Sequence, residues 1–120
     1  MLVDGFLYPR LARASHFYSP RGALTDVEAC RAFFNQQIAQ QQLTKVGEVY
    51  HSFPNGGFTA VVGLTESHLS IHTWPEYGHA TFDVFLSSYR RNNADTVRLL
   101  YAETLRFFGG EEQAKTEVCR

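Results

Sequence analysis

Thr65-Glu66-Ser67-His68-Leu69-Ser70-Ile71-His72-Thr73-Trp74-Pro75-Glu76-Tyr77-Gly78 is the stretch on which the reading of this chain turns. Leu69 and Ile71 are set among Ser67, His68, Ser70 and His72 with the period-two alternation of a strand that has one apolar and one polar face. Pro75 and Gly78 end it in a turn. A core needs only the apolar face. A polar face with two histidines and two serines, followed by Glu76, therefore points to chemistry.

Outward from this strand the pattern repeats. Lys45 to Phe53 reads as a strand with Val49, His51 and Phe53 on one side and Val46, Glu48 and Tyr50 on the other. Pro54-Asn55-Gly56-Gly57 should reverse the chain into a strand from Phe58 to Leu64, making a hairpin. After the Pro75 to Gly78 turn, Ala80 to Phe85 alternates again. A last strand is expected over about Gln113 to Cys119. Thr25-Asp26-Val27-Glu28 has the form of a capping box. It opens a helix from Asp26 to Gln42, in which Val27, Cys30, Phe34 and Ile38 recur at helical spacing. Ser87 to Asn93 is polar and leads into a second helix marked by Val97, Leu100, Tyr101, Leu105 and Phe108 and stopped by Gly109-Gly110. Residues 1 to 24 read as a loop-rich entry, with Phe6-Leu7-Tyr8 a possible start of an edge strand. The expected fold class is α+β, a two-layer sandwich of an antiparallel sheet with two helices on one face. The other face then needs a cover, for which a second copy is the natural candidate.

The chain has 120 residues, 44% of them hydrophobic, which suits a single domain spanning 1–120. A formal net charge of -1 leaves no footprint for nucleic acid or an anionic membrane. No run approaches the ~20 apolar residues of a membrane span, and the N-terminal residues lack the features of a signal peptide, so a cytoplasmic protein is expected. Cys30 and Cys119 make no disulfide framework, and neither has a metal-ligating partner at suitable spacing. His68 and His72 stand ~13 Å apart on a strand, too far to chelate one ion, so no metal is expected. His16 and His79 read as separate surface or turn residues without a partner.

The run from Glu66 to Gly78 closely resembles the signature of the small prokaryotic S-adenosylmethionine decarboxylases. These are pyruvoyl enzymes that cut their own chain between this glutamate and this serine. Weaker resemblance extends from His51 through Phe85. It implies an α+β fold, a homodimer, a small-molecule substrate, and cleavage between Glu66 and Ser67 that converts Ser67 into the pyruvoyl cofactor. A serine hydroxyl can attack the carbonyl that precedes it, turning amide into ester, when the bond is strained and the oxyanion is held. The resemblance implies that elimination then releases residues 1 to 66 as a carboxylate. The keto group left at Ser67 draws off electrons as carbon dioxide departs.

By position, the resemblance assigns His72 as the processing histidine and Thr59 as the hydroxyl that helps hold the intermediate. Phe53 falls at an aromatic that stacks on adenine and whose face also suits a cation. Trp74 and Glu76 match the family's Trp-Pro-Glu, where the carboxylate suits sugar hydroxyls or a positive group. Ser67 and His72 are about 16 Å apart on a straight strand. Their cooperation therefore requires a bend, a bulge or a partner subunit. Ser87 departs from the pattern: the family has a cysteine there that assists processing and donates the final proton, and a serine hydroxyl is a far poorer acid. The amino-terminal Gly-x-His is also missing. These departures keep two rivals open: a homologue that decarboxylates a basic amino acid such as ornithine or arginine, and a processing-deficient regulatory or structural partner.

Overall fold

A computed structural model describes residues 11–65, 67–86 and 94–119. Six strands form one sheet: β1 (Leu11–Tyr18), β2 (Lys45–Ser52), β3 (Phe58–Leu64), β4 (Ser67–Trp74), β5 (His79–Leu86) and β6 (Glu111–Cys119). Their spatial order is β2-β3-β4-β5-β1-β6, and every neighbouring pair is antiparallel. Helices α1 (Arg21–Thr25), α2 (Val27–Gln40) and α3 (Ala94–Phe108) complete the described chain. The expected α+β sandwich is thus present, with α2 and α3 as its two long helices.

Strict alternation divides the sheet. Phe58, Ala60, Val62 and Leu64 of β3, Leu69 and Ile71 of β4, and Ala80, Phe82, Val84 and Leu86 of β5 are all buried. They meet Cys30, Phe34 and Ile38 from α2 and Val97, Leu100, Tyr101 and Phe108 from α3. Phe33 and Phe107 stack at 4.5 Å and tie the two long helices together. Each fully buried Leu or Phe contributes ~1.5–3 kcal/mol through the water it releases. The intervening residues Thr59, Val61, His72 and Trp74 face away from the helices, onto a surface that no described element covers.

Several expectations need correction. The segment read as a loop-rich entry contains β1, which pairs with both β5 and β6, and the one-and-a-half-turn helix α1. Phe6-Leu7-Tyr8 and the Ser87 to Asn93 segment lie outside the described residues. Thr25 does not cap α2. Its hydroxyl instead turns back to the carbonyls of Arg21 and Gly22, while the Asp26 carboxylate accepts from the Ala29 N–H at 3.0 Å. A carboxylate is the better acceptor at the positive end of a helix, and α1 leaves Thr25 already helical. The last strand begins at Glu111, earlier than its polar start suggested.

Buried Thr73 fastens α1 to the middle of the sheet, its hydroxyl donating to the Leu24 carbonyl at 2.7 Å and accepting from the Phe58 N–H at 2.9 Å. The turn before β3 is closed by Asn55, whose side-chain oxygen accepts from the Gly57 N–H at 3.0 Å. Gly57 must lack a side chain, because a Cβ there would sit 2.8 Å from the Thr73 carbonyl oxygen and 2.9 Å from Pro75 Cδ. The turn after β4 is a single 3-10 turn, Pro75–Tyr77, ended by Gly78 at φ 61°. These two turns lie side by side and together shape one end of the open face.

Candidate active site

A cavity of about 560 Å³ opens at that end, lined by Phe53, Pro54, Asn55, Thr59, His72, Thr73 and Trp74. Each wall follows from the strand register. Thr59 and His72 are direct partners across β3 and β4, and a 2.9 Å hydrogen bond joins Thr59 Oγ1 to His72 Nδ1. Trp74 stands two residues beyond His72 on the same side, its ring centroid 6.1 Å from the imidazole. Phe53 leaves the end of β2 on the facing wall, 44% exposed and edge-on to His51 at 4.8 Å. Glu76 accepts a hydrogen bond from the side-chain amide of Asn55, which lines the cavity.

Four of the residues singled out in the sequence, Phe53, Thr59, His72 and Trp74, therefore line one cavity, and the fifth, Glu76, is joined to it through the lining residue Asn55. Ser67 does not join them. It starts β4, opposite Leu64, whereas His72 lies five residues further along. The pairing of β4 with β3 carries no register shift between these positions, so no bulge shortens the path, and the two are ~16 Å apart along the strand. Ser67 also shares the parity of the buried Leu69 and Ile71, so it falls on the helix side of the sheet and not, as the alternation suggested, on the polar face with His72. Glu66 and Ser87 lie outside the described residues.

Ser67 is half-buried at the end of the β3–β4 hairpin. Its hydroxyl is covalently adjacent to the carbonyl it would attack, so the donor this chain offers fits the formation of a pyruvoyl group. His68, beside it, pairs with Asp83 at 3.1 Å. Among the described residues no group of three or more His, Cys, Asp or Glu side chains gathers to hold a metal, and no helix is long and apolar enough to cross a membrane.

Sequence reasoning missed Asn55, although Pro-Asn-Gly-Gly signals an Asn that bonds its own turn. It also misjudged His16 and His79. These do have partners: His16 Nδ1 lies 3.3 Å from His79 Nε2, and the His79 ring packs 5.6 Å from Trp74. Burial, reinforced by His16 beside it, pushes the His79 pKa below its ordinary value.

The fold and much of the sequence recur in known proteins. The crystal structure of the adenosylmethionine decarboxylase of Aquifex aeolicus superposes with a TM-score of 0.76 at 24% identity, covering 94% of this chain and 89% of that one, and so shares the fold. The S-adenosylmethionine decarboxylase proenzyme of Archaeoglobus fulgidus is 47% identical over 58 residues, 48% of this chain and 52% of that protein. The proenzyme of Pseudomonas aeruginosa is 44% identical over 75 residues, 62% of this chain and 47% of that protein. The matched stretches thus span about half the length of these curated relatives. The family model described as S-adenosylmethionine decarboxylase matches residues 14–118, nearly the whole chain from β1 to β6. With the fold and most of the sequence in agreement, this chain belongs to the S-adenosylmethionine decarboxylase family.

Proposed function

We propose that this chain is a proenzyme that cuts itself between Glu66 and Ser67 and then decarboxylates S-adenosylmethionine, the donor chemistry of polyamine synthesis. The observation that carries the reading is the Thr59–His72 hydrogen bond set into the wall of the cavity between Phe53 and Trp74. A hydroxyl bonded to an imidazole is suited to holding an oxyanion and moving a proton, and the aromatic walls suit a flat base and a sulfonium. Glu76, tied down by Asn55, is placed to accept from sugar hydroxyls. The pyruvoyl group formed from Ser67 would supply the electron sink for loss of carbon dioxide. Thr59 and His72 would orient the reacting carboxylate, and Phe53 and Trp74 would exclude water from it.

The separation of Ser67 from His72 favours a homodimer in which each cavity receives Ser67 from the other copy. What supports this is the uncovered sheet face, with Tyr18, Val49, Phe53, Val61 and Trp74 all at least 38% exposed. Intact mass of freshly purified protein tests the first step: cleavage into two pieces with a hydride-reducible carbonyl supports the reading, and a chain that stays whole overturns it. Carbon dioxide release from S-adenosylmethionine, ornithine and arginine then identifies the substrate. Co-expression of Ser67→Ala with His72→Ala chains tests the shared site. Cleavage of the His72→Ala chain only in the mixture is expected, and its absence means that His72 acts within its own chain.

A further inference from the structure

On the side of Trp74 away from the main cavity, the open face carries a smaller one of about 270 Å³ lined by His16, Trp74, Tyr77, His79 and Thr81. Its two imidazoles come from adjacent strands. His16 pairs in register with Thr81, and Tyr18 with His79, so the histidines are diagonal neighbours across β1 and β5. Their rings lie 5.3 Å apart, 24° from parallel, with His16 Nδ1 3.3 Å from His79 Nε2. Trp74 flanks His79 at 5.6 Å and Tyr18 meets it edge-on at 6.0 Å. The β1–β5 ladder runs for eight register pairs without a shift, so the backbone fixes both histidines.

A neutral imidazole has one protonated and one bare nitrogen, so this contact is a single shared proton that a cation can displace. Two ring nitrogens bound at ~2.0–2.1 Å to one tetrahedral ion stand ~3.3 Å apart. The pair already has that separation, and the cavity beside it leaves room for water to fill the remaining coordination positions. Imidazole donors with no carboxylate in the lining favour d-block ions over Mg²⁺ or Ca²⁺.

We propose that His16 and His79 form a two-imidazole binding site for a divalent d-block cation of the Cu²⁺, Ni²⁺ or Zn²⁺ class, completed by water in the cavity beside Trp74. The site is contained in one chain and does not rest on the decarboxylase reading. Trp74 is the only tryptophan, so an open-shell ion at the pair quenches all of the indole emission. Tag-free protein is titrated with NiCl₂ and then CuCl₂ while that emission is followed, with Zn²⁺ and Mg²⁺ as competitors. The expected result is saturable quenching at one ion per chain, reversed by EDTA and displaced by Zn²⁺ but not by Mg²⁺. In His16→Ala and in His79→Gln the midpoint should rise at least about tenfold, and in His51→Ala it should not move. Circular dichroism checks that each variant is folded, and His16→Ala, at an exposed position, decides the matter if His79→Gln is not. Absent or unsaturable quenching overturns the proposal. So does quenching that survives loss of either histidine of the pair, or quenching that disappears with His51 or His72 instead.

Discussion

The two faces of this sheet are made by the same strands, residue by residue, and yet they share almost no chemistry. Toward the helices stand Phe58, Ile71 and Thr73; one step along the backbone, Thr59, His72 and Trp74 stand on the other side. The first set is sealed under the helices and holds the domain together. The second lines cavities and carries the polar atoms. Adjacent positions therefore serve separate ends, and a substitution on one face should leave the other's property largely intact.

The largest expected effect breaks the comparison at its edge. Ser67→Ala should remain a single 13.6 kDa chain in intact mass, folded as before, because the alanine keeps the strand and removes the nucleophile. Next, Phe58→Ala should cost ~3–5 kcal/mol in denaturant unfolding by opening a cavity in the core. Its neighbour Thr59→Ala should cost ~1 kcal/mol or less yet slow chain cleavage, measured as the rate of band splitting. If both variants lose stability alike, the division between faces fails. Gly57→Ala should destabilise by ~1–3 kcal/mol, since the new methyl meets the Thr73 carbonyl and Pro75 and must push the two turns apart.

The smallest effect is a difference in pH response. Burial, with Asp26 nearby, pushes the Cys30 thiol from 9.0 up to about 12. The folded state thus keeps a proton that the unfolded chain gives up, and stability declines as pH rises past 9.0 toward that value. A thiol reagent should react with Cys30 only on unfolding. His79 on the open face behaves in the opposite sense. With its pKa below 6.5, the folded state binds fewer protons, so stability is lost as pH falls from 6.5 through the lowered value. Proton NMR titration of the chelator-treated protein follows its ring directly.

How much of this could be read beforehand depended on how local the cause was. β3, β4 and β5 were legible because apolar and polar residues alternate cleanly along each, and α2 because Cys30, Phe34 and Ile38 keep its spacing. β1 was not legible. Ser15 is buried where an apolar residue would have completed the pattern, and Pro20 and Gly22 read as loop although they start and continue α1. His72 and Trp74 stand in the Glu66 to Gly78 motif and Thr59 in the weaker resemblance before it, but the cavity that joins them to Phe53 and Asn55 depends on two turns lying together. The His16–His79 contact joins residues 63 positions apart, and only the register of β1 on β5 reveals it.

The strand order has one more consequence. A break between Glu66 and Ser67 would leave β1, β2 and β3 on one polypeptide and β4, β5 and β6 on the other. In the sheet these interleave, with β1 clasped between β5 and β6. Three seams, β3 on β4, β1 on β5 and β1 on β6, would then hold two molecules together by hydrogen bonds and packing alone. Severed protein would stay assembled under native conditions. Once melted it would have to find its other half by collision, so recovery would depend on concentration where the uncut chain's own refolding would not.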